Sequence, residues 1–384
     1  MTNKNMNKSR VKQSAFTIVE LLVVIVVIGI LAAITIVSYA GVTARATQAS
    51  LQSDLINSSQ QLKIFQVDNS TYPSSVTDCP TPAAGNICLK VSSGTVYLYS
   101  VNNNSNPQTF SIYATKNNTK YRITNDSNPI AAVPVVATGG NTVADIGGYR
   151  IHTFISSGTF TVTSGDNVEV LVVGGGGSGG TSTGGLGGGG GGGAGGLIYN
   201  LYNTITAQVY NVTVGNGGAS VIVGSSRGNN GSNSVFNSLT AIGGGGGGRG
   251  TPGDPGSVGG SGGGAGYNGY TFLAGSLGVL GQGSKGGDTL SNNNGGGGGG
   301  AGGVGGNTNL GGPSGNGGLG GPGLSNSISG TSIIYSKGGG GGSPPGGFAN
   351  GVANTGNGGS GVYAAEMASS GAGGSGIVII RYQL

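Results

Sequence analysis

The chain is 384 residues long, with 90 glycines and only 7% charged residues, a glycine share far above the usual value near 7%. Its formal net charge of +5 is misleading, because four of the 16 basic residues lie in the first 15 positions and leave 12 against 11 acidic groups after them. That balance excludes the electrostatic footprint of a nucleic-acid binder, and the length allows two or three domains.

The first element is an apolar run from Phe16 to Tyr39, long enough to cross a bilayer as a helix, for which roughly 20 residues suffice. Lys4, Lys8, Arg10 and Lys12 precede it without an acid, so the N-terminus is expected on the cytoplasmic side and everything after Tyr39 outside. The run exceeds a signal-peptide core and lacks a clean small-x-small cleavage site. Its one ionisable group is Glu20. A carboxylate in hydrocarbon costs about 2.5–3.5 kcal/mol, so Glu20 needs a partner or a purpose, which a plain anchor does not supply.

The segment Ser14-Ala15-Phe16-Thr17-Ile18-Val19-Glu20-Leu21-Leu22 resembles the N-terminus of a type IV prepilin. The resemblance implies a leader of residues 1–15, cut between Ala15 and Phe16 by a prepilin peptidase, and N-methylation of Phe16. It also implies that Glu20 pairs with the Phe16 amine of a neighbouring subunit in a filament. The residue before the cut is Ala15 where that family usually has Gly, and Gly29 falls where many pilin helices loosen on packing.

Beyond Tyr39, Leu51, Leu55, Ser58, Leu62 and Phe65 continue a four-and-three spacing with Ala44 and Gln48, the stripe of an amphipathic helix. One long helix is expected over 16–68, transmembrane over 16–39, with Asp68-Asn69-Ser70 as its stop. Strand-like text at 95–101, 110–115 and 120–124, separated by asparagine turns, predicts an antiparallel meander packed on the helix. Residues 69–128 form the head of an α+β pilin module. Cys79 and Cys88 lie beyond the membrane segment, where a disulfide is the natural state; two free thiols are the alternative. Residues 129–148, with Pro129, Pro134 and Gly139-Gly140, read as a linker.

Residues 149–384 alternate β-rich segments with glycine tracts at 174–177, 187–193, 243–248, 295–300 and 338–342. The β-rich segments include Val168–Val173, Val209–Val214, Ser220–Val223 and Gly376–Tyr382. Glycine-rich linkers behave as coils, but they do not place apolar strands at both ends. Chains without Cβ atoms can pack as extended three-fold helices whose amides are satisfied between segments, and the lack of a Gly-X-Y period excludes collagen. The opening HTFISSGTFTV and VEVLVVGGGG and the closing GGSGIVIIRY resemble a glycine-rich domain of bacterial surface proteins and phage tail-fibre adhesins. That resemblance implies an all-β and polyglycine-helix domain whose loops bind a receptor, with Tyr267, Tyr270 and Phe272 as candidate contacts and core packing as their competing role.

Catalytic chemistry is not visible. Gly174 to Gly179 satisfies G-x-G-x-x-G, but neither the helix nor the acid of a dinucleotide site follows. His152 is the only histidine, without a Cys or second His to build a zinc site or a triad. Asp166, Glu169, Asp254, Asp288 and Glu366 are scattered and read as solvated residues. No cofactor and no metal are called for. The expected partners are other pilin subunits, a prepilin peptidase, the cytoplasmic membrane and a surface receptor or glycan. The competing readings are a pseudopilin of a type II secretion or DNA-uptake system, and an anchored surface protein that never polymerises.

Overall fold

A computed structural model describes residues 18–76, 85–103, 106–183, 187–222, 224, 226–267, 269, 271–289, 293–308, 317–343, 349–363 and 369–384. The chain divides into two compact units, Met1–Ala132 and Val133–Leu384.

The first unit opens with helix α1, Ile18–Asn69, of 52 residues, roughly 80 Å long at 1.5 Å per residue. It is long and apolar enough to cross a membrane, and from Ile18 to Thr43 every residue is exposed within the unit. Burial begins only in the second half, where Leu51, Leu55, Ser58 and Leu62 repeat at four, three and four residues. Ala44 and Gln48 continue that stripe but stay exposed, because no strand reaches them. The helix stops where Ser70 turns left-handed, with φ of 61°.

The stripe is covered by β1 (Val96–Asn102), β2 (Thr109–Lys116), β3 (Thr119–Thr124) and β4 (Ile130–Ala131), an antiparallel sheet in sequential order. The β2–β3 turn uses Asn117 and Asn118 at φ of 47° and 63°, a conformation asparagine tolerates better than most residues. Phe110, Ile112, Ala114, Tyr121 and Ile123 alternate onto the helix with Tyr72, Val76 and Leu89. Polar links fix the elements: Ser58 and the Tyr97 hydroxyl lie 2.9 Å apart. Asp54 accepts the Ser92 amide at 3.1 Å and the Ser92 hydroxyl at 2.9 Å.

Among its described residues the second unit has two five-stranded sheets and a hairpin. Its strands are β5 (Val136–Gly139), β6 (Thr142–Ile146), β7 (Tyr149–Phe154), β8 (Gly158–Ser164), β9 (Asn167–Val173), β10 (Leu197–Thr204), β11 (Val209–Thr213), β12 (Ser234–Phe236), β13 (Leu239–Ala241), β14 (Leu324–Asn326), β15 (Ile333–Tyr335) and β16 (Ile377–Gln383). One sheet has the order β10-β9-β16-β7-β6 and the other β13-β12-β11-β8-β5. Phe154, Val170, Val172, Val378 and Ile380 of the first meet Phe160, Val162, Tyr210, Val212 and Phe236 of the second. The opposite faces of β9 and β16, with Leu171, Val173, Ile377 and Ile379, lie under Ile328 and Tyr335 of the β14–β15 hairpin. Burial on both faces is why these two strands read as continuous apolar runs instead of alternating.

Two readings are corrected. The segment 129–148 is not a plain linker: it supplies β4, β5 and β6. Strands β5 and β6 lie at sheet edges, and β6 is exposed throughout, so no buried alternation marks it in sequence. Ser220–Val223 is not a strand over its described residues. Val221 instead bonds to Ser370, whose amide donates to the Val221 carbonyl at 2.9 Å and whose Oγ accepts the Val221 amide at 3.1 Å.

The glycine tracts leave the same end of the two sheets and pack together. In 189–196, the amides of Gly189, Gly192 and Gly195 donate to Val362, Gly359 and Gly356. Those of Gly190, Gly193 and Gly196 donate to Gly248, Gly245 and Ile242, and those of Gly191 and Ala194 to Gly296 and Gly299. Every third residue meets the same neighbour, which defines a three-fold extended helix of the polyproline II type. Its carbonyls accept from segments 174–180, 261–264 and 339–342, so six helices surround one. A Cβ on Gly192 would lie 2.2 Å from the Gly177 carbonyl oxygen, and one on Gly193 2.2 Å from that of Ser261. Only glycine permits this spacing, and the backbone bonds between segments satisfy amides that a single extended chain would leave to water.

Candidate functional sites

Two regions are exposed for interaction, one in each unit. In the first it is the surface of α1. Glu20 sits in the first turn and is exposed among Ile18, Val19, Leu21 and Leu22, placed where a helix macrodipole favours an acid. Ala15 and Phe16 lie outside the described residues, as does Cys79. No cysteine is free among the described residues, and Cys88 is disulfide-bonded.

In the second unit it is the end of the glycine lattice farthest from the sheets, where the side chains of Arg227 and Arg249 are exposed. Residues 174–182 carry the chain roughly 25 Å from β9 at about 3.1 Å per residue. At that end Thr181 donates its amide to the Ser226 carbonyl and accepts from the Gly250 amide, both at 2.9 Å. Of the three aromatics singled out in sequence, Tyr267 is 5% exposed and its amide donates to Gly188, so it packs in the lattice. Phe272 is 62% exposed, and Tyr270 lies outside the described residues.

The acidic residues are more organised than their scatter suggests. Glu169 is buried and paired with Arg381, and it accepts the Tyr199 hydroxyl at 3.0 Å. Burial, reinforced by the Glu169 charge, pushes the Tyr199 hydroxyl well above its ordinary pKa. Asp254 is shared by Arg227 and Arg249 at 3.2 and 3.3 Å. Asp288 accepts Lys285 at 2.6 Å and the Gly275 amide at 2.8 Å. Asp166 accepts the Val133 amide at 3.2 Å, and Glu366 lies outside the described residues. Reading Glu169, Asp254 and Asp288 as solvated is therefore wrong: Glu169 pairs 212 residues away, Asp254 with residues 5 and 27 away, and Asp288 with Lys285 three away and Gly275 13 away.

His152 is 1% exposed. Its Nδ1 donates to the Gly139 carbonyl at 2.6 Å and its Nε2 accepts from the Tyr382 hydroxyl at 3.0 Å. Both nitrogens of the neutral ring are satisfied, and burial holds its pKa below the ordinary value. It is a core residue. Among the described residues no group of three or more His, Cys, Asp or Glu is placed to hold a metal ion.

The glycine-rich domain family model matches residues 154–383, which take in the lattice and the strands from β8 to β16, with β5, β6 and all but the last residue of β7 before them. The chain belongs to the glycine-rich domain family. The model of the prokaryotic N-terminal methylation motif matches residues 10–36 of the same glycine-rich protein. Its N-terminal region is similar to the type II secretion system core protein G of Aeromonas hydrophila, 37% identical over 62 residues, 16% of this chain and 43% of that protein. The namesake proteins of Vibrio cholerae and Escherichia coli K12 are 37% identical over 68 residues and 34% over 83. Those alignments cover 18% and 20% of this chain and 46% and 57% of the relatives. The glycine-rich chain thus spans about half the length of the curated relatives it matches.

Proposed function

We propose that the chain is a type IV pilin-like subunit that assembles through α1 into a surface filament and displays the glycine-rich unit as a binding domain. The exposed apolar surface of Ile18 to Thr43, under a matching methylation motif, is the observation that carries this reading. A helix apolar all round belongs in a membrane or among other such helices, and a filament core provides the second setting after the first.

In this reading a prepilin peptidase cuts between Ala15 and Phe16, Phe16 is N-methylated, and Glu20 meets the Phe16 amine of the next subunit. Pairing offsets the cost of a carboxylate in an apolar core, so assembly and burial of Glu20 are coupled. A Cys79–Cys88 disulfide braces the head; for so short a loop it contributes on the order of 2–3 kcal/mol. The subunit starts in the cytoplasmic membrane with its N-terminus inside, and its heads lie on the outer side. Its work is assembly and binding, without catalysis.

A pseudopilin role is the second reading, favoured by the relatives' name, type II secretion system core protein G. The 252 residues of the second unit argue for display over a close-packed secretion shaft.

Intact-mass and N-terminal analysis of the protein from membrane and sheared surface fractions tests the proposal. A start at methylated Phe16, with the protein in the sheared fraction, is expected. A start at Met1, or a cut after Tyr39, would remove the filament reading. Processed protein confined to the cell envelope would favour the pseudopilin.

A further inference from the structure

The second unit contains six basic and six acidic residues, and among its described residues three of the cations are matched one to one. Arg150 pairs with Asp145, Lys285 with Asp288 and Arg381 with Glu169. Asp254 is the exception, a single carboxylate held between two guanidinium groups. Arg227 Nε lies 3.2 Å from its Oδ1 and Arg249 Nε 3.3 Å from its Oδ2.

The carboxylate is fixed. Its side chain is 15% exposed, and Oδ1 also accepts the amides of Arg249 and Gly256 at 3.1 and 3.2 Å. Both arginine side chains are 44% exposed. Arg227 follows Ser226 and Arg249 precedes Gly250, the two residues bonded to Thr181, so the pair stands at the outer end of the lattice. An arginine has five N–H donors in a planar fork. Each spends its Nε on Asp254, and the terminal NH2 groups of both bond to no protein acceptor among the described residues.

We propose that Arg227 and Arg249, bracketed on Asp254, form a binding site for the phosphate groups of a surface glycan polymer. The local charge is one cation in excess, the donors are unspent, and Asp254 removes part of the entropy cost of ordering two long side chains. A tetrahedral phosphate presents its oxygens in several directions and can take the unspent donors of both guanidinium groups at once. The unit as a whole is neutral and offers no basic stripe to follow a duplex backbone, so a flexible phosphodiester polymer is the partner, bound one phosphate at a time. This assignment rests on the reading of the glycine-rich unit as the binding part of the protein.

The test is surface plasmon resonance of the full chain in detergent micelles over immobilised poly(glycerol phosphate), with polyglutamate and duplex DNA as comparison surfaces. Saturable, salt-sensitive binding to poly(glycerol phosphate) is expected. The double variant Arg227→Gln/Arg249→Gln should bind at least about tenfold more weakly, the loss of one charge-assisted hydrogen bond, and Arg150→Gln should bind as the wild type does. Absence of binding, equal retention on polyglutamate or DNA, or an equal loss in Arg150→Gln would overturn the proposal. Should the double Gln variant melt early, Arg227→Lys/Arg249→Lys keeps the charge and removes the fork; wild-type affinity in that variant also overturns it. Adhesion of cells with and without residues 133–384 is read separately: its loss with no phosphate binding sinks this site and leaves the binding-domain reading intact.

Discussion

Arg381 on β16 reaches Glu169 on β9, 212 residues earlier in the chain, and the pair fastens the C-terminal strand into the middle of its sheet. Arg381 Nε donates to Glu169 Oε2 at 3.1 Å, its Nη1 to the Ser327 carbonyl at 3.4 Å, and its guanidinium lies 4.4 Å from the Tyr149 ring centroid. Breaking one half of a largely buried ion pair leaves a stranded charge, at a cost of about 3–5 kcal/mol. Some solvent access at Arg381 lowers that figure. Arg381→Met is therefore expected to destabilise the second unit by about 3 kcal/mol, read from chemical denaturation. The double variant Arg381→Met/Glu169→Leu should recover a good part of the loss. Additive losses in the double variant would show that the two side chains act independently.

The lattice makes a sharper prediction about glycine. Gly192 has neighbours on every side, and a Cβ there meets the Gly177 carbonyl oxygen at 2.2 Å, a clash with backbone that cannot swing aside. Gly192→Ala should cost more than about 3 kcal/mol, the upper end for overpacking, and lower the melting temperature steeply. Gly340 faces a groove of about 330 Å³ lined by Leu319, Lys337, Asn350 and Val352, and its Cβ would meet nothing closer than 3.9 Å. Gly340→Ala should be neutral or stabilise by up to about 1 kcal/mol, because alanine restricts the unfolded chain. Equal effects at the two positions would contradict the packing described above.

That contrast also marks what the sequence made legible. The helix stripe from Leu51 to Leu62, the asparagine turn at 117–118 and the doubly buried β9 and β16 are written in residue type and spacing, and the structure has them. The glycine tracts could be read as three-fold helices. Their pairing could not, because Gly190 against Gly248 and Gly193 against Gly245 present no side chain that distinguishes one register from another. Edge strand β6 was invisible for a related reason: with no face buried, Thr142 to Ile146 had no alternation to show. The Arg227–Asp254–Arg249 cluster was hidden because its members are brought together by the lattice, across 27 residues.

His152 gives the second unit a pH dependence. Its folded pKa is lowered by burial, which outweighs the opposing pull of the Gly139 carbonyl, with lesser contributions from Arg150, which lowers it, and Asp145, which raises it. The unfolded imidazole takes a proton near its ordinary value of 6.5 while the folded one remains neutral. Stability is thus full above about pH 6.5 and falls as the pH drops below it, with a slope no steeper than about 1.4 kcal/mol per pH unit. Denaturation midpoints of the wild type should decline between pH 7 and pH 5.5, and those of His152→Gln should decline less over the same window. Parallel curves would assign the slope to other groups.

Glu20 should act on assembly and leave the subunit's fold alone. It is exposed in the first turn of α1, far along the helix from the buried stripe that begins at Leu51, so Glu20→Gln removes a charge without touching the head core. The isosteric amide keeps hydrogen-bonding capacity and loses the attraction to an amine, which in a low-dielectric setting is the larger part of the pairing. Melting of the variant in micelles should match the wild type within about 0.5 kcal/mol, and cleavage before Phe16 should proceed, since the leader is unchanged. Its amount in the sheared surface fraction should fall at least about tenfold, the effect of losing one charge-assisted contact per subunit. Repetition of that contact along a filament makes the deficit larger. Surface levels equal to the wild type would show that Glu20 does not join neighbouring subunits, and the carboxylate would then need another partner within the membrane.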